Sequence, residues 1–74
     1  MNTTEALKKS LEFEQLKRQN EELKKLLASA LDTLLLVNEY SPLADETKED
    51  IQEAAETLAK FGGKAPNVSS YKNF

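Results

Sequence analysis

Residues 13–37 read FEQLKRQNEELKKLLASALDTLLLV. With Phe13 at position a of a heptad, the a positions are Phe13, Asn20, Leu27 and Leu34. The d positions are then Leu16, Leu23, Ala30 and Val37. Seven of these eight residues are apolar over nearly four heptads, the pattern of a coiled-coil seam. The exception, Asn20, costs stability when it stands alone. Two such residues facing each other hydrogen-bond, and in a parallel dimer that fixes register and strand number. Glu12 at g would meet Lys17 at e of a neighbouring parallel helix, an attractive pair; Gln19 and Lys24 form the next, neutral one.

Outward from this stretch the helix pattern continues. The first forty residues hold no Gly and no Pro and are rich in Leu, Lys, Glu, Gln and Ala, all strong helix formers. Asn2 with Glu5 three residues later suits a capping box. Pro42 ends the run, because the residue before a proline is pushed away from helical angles. One helix from about residue 3 to 40 is predicted, on the order of 57 Å long at 1.5 Å per residue. No helix of that length buries its own apolar side. Leu16 to Leu27 resembles the zipper half of the basic-region leucine-zipper transcription factors, a likeness shared by two-stranded coiled coils in general. The strongly basic stretch that precedes a zipper in that family is absent here, where only Lys8 and Lys9 stand among Glu5, Glu12 and Glu14. The resemblance therefore implies a coiled coil and carries no DNA-binding role.

A turn over residues 38–44 and a second helix over about 43–61 follow. The second helix starts at Ser41-Pro42 or, alternatively, at Asp45 or Thr47. Its acids early and Lys60 late suit the helix dipole, and Phe61-Gly62-Gly63 offers a glycine for the left-handed position after its last turn. Its stripe of Ile51, Ala54, Ala55, Leu58 and Phe61 recurs at helical spacing. On the first helix the apolar face widens from Leu26 onward, through Leu31 and Leu35. A broad face marks a helix touched by more than one neighbour. Folded back antiparallel, the second helix would bring Ile51 near Leu31 to Leu34, Leu58 near Leu26 and Leu27, and Phe61 near Leu23. The expected hairpin contact is thus Leu26, Leu31, Leu35, Ile51, Ala54, Ala55, Leu58 and Phe61. The a and d residues named above are the expected dimer interface. The expected fold is all-α: a helical hairpin over residues 1–63 that dimerises through a coiled coil into a four-helix bundle. Residues 64–74 are expected to form a flexible tail.

Composition bounds the rest. The chain has 74 residues with no Cys and no His, so disulfides and zinc cannot supplement a small core. Helix packing and self-association remain. The usual nucleophile–base pairs need His or Cys, and Gly62-Gly63-Lys64 lacks the spacing of a phosphate loop. No enzymatic activity and no cofactor are expected. The acids Asp45, Glu46, Glu49, Asp50, Glu53 and Glu56 lack calcium-loop spacing and read as a solvated face or a docking face for a basic protein. Ten basic residues against 13 acidic ones, net −3, argue against nucleic acid. The Lys and Arg residues of the first helix alternate with Glu, so their field largely cancels. No apolar run reaches membrane-spanning length, and no secretion signal is visible, which points to the cytoplasm. Met1 and the tail beyond Gly63 fit a complete small reading frame. Val68, Tyr71 and Phe74 recur every third residue in that tail; they either pack on the bundle or anchor a short motif in a partner.

The function expected is a homodimeric adaptor, inhibitor or accessory factor that binds another protein. A nucleic-acid regulator using the basic residues of the first helix and a purely structural oligomerisation module are the alternatives. Asn20→Leu should raise the thermal midpoint, by the equivalent of about 1.5–3 kcal/mol per chain, and disturb the oligomeric state. A melting curve and sedimentation profile identical to the parent would refute the heptad assignment.

Overall fold

The computed structural model describes residues 3–74, and its described residues are helical with no strand. Helix α1 runs unbroken over Thr3–Tyr40 and α2 over Asp45–Lys60. The molecule measures 57 × 18 × 16 Å, so α1 sets its full length. Its radius of gyration is 17.4 Å, against about 11 Å for a compact domain of this size. The capping residue Asn2 lies outside the described residues.

The two helices pack as a hairpin. The core consists of Leu31 and Leu35 from α1 with Ile51, Ala55 and Leu58 from α2. On α1 the buried side chains, with half-buried Ala28, fall on positions b and e of the heptad, on one flank of the a/d seam. On α2 they are spaced i, i+4, i+7, as a single apolar stripe requires.

The elbow is tighter than a turn over 38–44. Asn38, Glu39 and Tyr40 remain helical, because the constraint of Pro42 falls on Ser41 and not further back. The Ser41 amide closes on the Val37 carbonyl at 2.8 Å. The second helix begins at Asp45, with Ala44 as its cap residue in extended conformation and no side-chain cap. Asp45 and Glu46 place negative charge in its first turn.

Asn38 is fully buried at this elbow. Its Oδ1 accepts from the Leu43 amide at 2.8 Å. Its Nδ2 donates to the carbonyl of Asn73 at 3.3 Å, with the Lys72 carbonyl at 3.5 Å. In return Asn73 Nδ2 donates to the carbonyls of Asn38 and Glu39, at 3.4 and 3.3 Å. Those carbonyls belong to the last turn of α1, which has no intrahelical donors left. Asn73 itself sits at φ 68°, a region Asn tolerates better than most side chains. The C-terminal residues thus cap the first helix.

The end of α2 is a Schellman motif. The Gly62 amide donates to Ala59 O at 3.1 Å and the Gly63 amide to Leu58 O at 2.9 Å. Gly62 has φ +83°. A Cβ on Gly63 would collide with Leu58 Cδ1 and lie 2.7 Å from its Cγ, and Leu58 is a core residue. Gly63→Ala should therefore cost about 1–3 kcal/mol through displacement of Leu58. Asn38→Leu should cost about 1–3 kcal/mol, because it strands the half-buried Leu43 amide. Urea unfolding followed by circular dichroism measures both; parent-like midpoints would contradict this account of the elbow and the cap.

Candidate functional site

Two surfaces of α1 flank the buried stripe, and they have opposite character. One is the a/d seam. Phe13 is 70 % exposed and Leu23 62 % exposed, and Leu16, Leu27, Ala30, Leu34 and Val37 are exposed with them. Asn20 is exposed in the same row. The seam residues lie together along one side of a straight rod, because i, i+3, i+4 and i+7 positions share a helix face. Near the free end of α2 the seam deepens into a groove of about 430 Å³ lined by Asn20, Leu23, Leu27, Thr57, Leu58 and Phe61. A second depression continues it toward the N-terminus past Phe13 and Leu16.

Of the expected hairpin residues, Leu31, Leu35, Ile51, Ala55 and Leu58 are buried and Ala54 packs against them. Two differ and require correction. Leu26 is 68 % exposed and Phe61 65 % exposed. Leu26 occupies position g, and g and e lie on opposite sides of the a/d seam. With α2 on the b/e flank, Leu26 cannot face it. Phe61 follows the last helical residue of α2 and stands beside Leu23 and Leu27 on the rim of the groove.

The other surface is the flank carrying the tail. From Gly63 the chain turns back along α1 toward the elbow. The expectation of a tail without regular structure is corrected here: Val68–Ser70 form a turn of 3₁₀-helix, tied by Ser70 Oγ donating to the Asn67 carbonyl at 2.7 Å. Ala65, Val68, Tyr71 and Phe74 pack against the core. The three-residue spacing of Val68, Tyr71 and Phe74 turns them inward, where they cover the edge of a two-helix core. Tyr71 Oη donates to Asp32 Oδ1 at 2.9 Å, and the Lys72 amide donates to Glu39 Oε1 at 3.3 Å. Asp32 and Glu39 both occupy heptad position f. The missed residue is Asn38, whose role needs the tail beside it and so leaves no local pattern.

Other features carry little chemistry. Among the described residues no group of three or more His, Cys, Asp or Glu side chains could hold a metal ion. Gly62-Gly63-Lys64 is the helix terminator described above. Lys24 pairs with Glu21 at 3.3 Å, in line with a charge-alternating helix surface. No described helix is long and apolar enough to cross a membrane. Comparison with known protein families, curated proteins and solved structures finds no match.

The hydrogen bond to Asp32, followed by partial burial and the negative charges of Asp32 and Glu39, raises the Tyr71 pKa above the ordinary tyrosine range. The docked tail therefore favours the protonated phenol. Its contribution is fully present below about pH 10, the usual value, and is lost as pH rises through the raised one. NMR titration of the Tyr71 ring should give a midpoint above the ordinary value. Asp32→Ala should bring it back down, and an unshifted Tyr71 would contradict the docking described.

Proposed function

We propose that this chain works as a small non-enzymatic homodimer, a parallel coiled-coil scaffold that acts in the cytoplasm as an adaptor, inhibitor or accessory factor by binding another protein. One observation carries the reading: the hairpin buries the b/e flank of α1 and leaves the a/d seam exposed, from 70 % at Phe13 to 39 % at Leu27 and Leu34. The single chain exposes 6060 Å². A folded monomer of its mass, 8.3 kDa, exposes roughly 4,600 Å². The surplus, roughly 1,500 Å² per chain, exceeds the approximately 800 Å² that each partner buries in a standard interface. It is of the size an obligate dimer removes from water.

A second copy meets the demands of this surface. Phe13 and Leu16 lie beyond the reach of α2, whose end stops at the level of Asn20, so only another chain can cover them. Two parallel seams place Asn20 opposite Asn20, where each amide finds a partner, and set Glu12 beside Lys17 of the partner subunit. An antiparallel pair would set Asn20 against an apolar residue and leave its amide short of hydrogen bonds. Dimerisation would also give the C-terminal halves four helices, two from each chain.

Light scattering on the full chain should return twice the mass of one chain, 8.3 kDa, at micromolar concentration. Leu16→Glu should shift that mass to one chain and lower the helix content, since an isolated helical arm is marginal in water. A folded, fully helical single-chain species at all concentrations would overturn the proposal.

A further inference from the structure

We propose that Phe61 of each protomer packs on Leu26 of the partner subunit, so that α2 acts as a clasp between two α1 helices. This deepens the homodimer reading and rests on it. Leu26 and Phe61 are each about two-thirds exposed in the single chain, and neither belongs to the hairpin core. Both are large apolar side chains near the middle of the rod, on different flanks of the seam.

Parallel geometry brings these flanks together. In a parallel pair the e flank of one helix faces the g flank of the other. Helix α2 occupies the b/e flank of its own α1, and its end carries Phe61 to the rim of the groove beside Leu23 and Leu27. Association therefore carries α2 against the partner's g flank, where Leu26 stands. The heights agree as well. Leu26 falls between Leu23 and Leu27 along the axis, and equal positions lie side by side in a register fixed by facing Asn20 residues. An antiparallel pair would instead set g against g and e against e, so that each α2 would meet the partner's e flank and Leu26 would stand on the opposite side of the seam from Phe61. The attraction between Glu12 and Lys17 of the partner subunit favours the parallel arrangement independently of any apolar contact. The two exposures that a single hairpin leaves unexplained are then halves of one contact, repeated twice by symmetry.

The test uses the full chain as a mixed dimer, one protomer carrying ¹³C-labelled leucine methyls and the other unlabelled, with light scattering on the same sample. Isotope-filtered NOE spectra should show the Leu26 methyls close to the Phe61 ring across the interface. Phe61→Ala, at an exposed position of the single chain, should remove those signals and weaken self-association roughly tenfold or more at unchanged helix content. A dimeric mass with Leu26 showing interchain signals only to another g flank, or none, would overturn the clasp while leaving the dimer standing. So would unweakened association of the Phe61→Ala variant. A single-chain mass would overturn both readings and leave the seam to a different protein.

Discussion

The governing constraint is a mismatch of lengths. Helix α1 has 38 residues and α2 has 16, at the same rise of about 1.5 Å per residue. A short helix laid against a long one covers one flank of half its length. A large apolar side chain left in water forfeits about 1.5–3 kcal/mol of possible burial, and the a/d row of α1 holds six such residues besides Ala30. The core of a single hairpin, five buried apolar side chains, is small against the entropy of ordering a rod of this length. Each remaining feature works to extend that core or to leave one well-defined side of it open.

The tail and Asn38 extend it. Two helices alone leave both edges of their contact wet. The tail closes one edge with Ala65, Val68, Tyr71 and Phe74. Its position is fixed by polar bonds at the elbow, where Asn38 joins the turn, the end of α1 and the returning chain in one cluster. An asparagine suits this place because its amide both donates and accepts. A buried polar group left half-satisfied would cost more than an apolar one, so the cluster selects one arrangement of the elbow instead of merely adding stability.

Much of this was legible in residue patterns, and the limits have physical causes. Absence of Gly and Pro before Pro42 marks α1 to within the described boundary at Tyr40. Helical spacing identifies Ile51, Ala55 and Leu58, and the glycine pair identifies the end of α2. The widening apolar face marks more than one neighbour, and assigning all of its added residues to the second helix places Leu26 in the hairpin. Angular position separates Leu26 at g from Leu31 at e, on opposite sides of the seam, and composition does not. The spacing of Val68, Tyr71 and Phe74 leaves packing on the bundle and anchoring in a partner equally open, for a different reason. Pro66, Asn67, Ser69 and Ser70 give it the composition of a loop, while its order comes from contacts with residues some 33 to 39 positions away, which no local pattern records.

The tail and the seam lie on different sides of α1, and this separation bears on how the molecule works. Asp32 and Glu39, which hold the tail, occupy position f, across the helix from the a/d row. A second chain can therefore cover the seam without displacing the tail, and the tail can dock without competing for the seam. Two copies joined along their seams would present both tails outward, at the far edges of the assembly, with the acidic residues of α2 such as Glu49, Glu53 and Glu56 still in solvent. The apolar surface would then be spent on self-association. In the proposed dimer, recognition of a further protein would fall to polar and charged groups, and the net charge of −3 per chain would favour basic partners. In such a pair what holds the molecule together and what it shows to others would be separate, because the apolar a/d row of α1 and the tail-holding acids at position f stand on opposite sides of one helix.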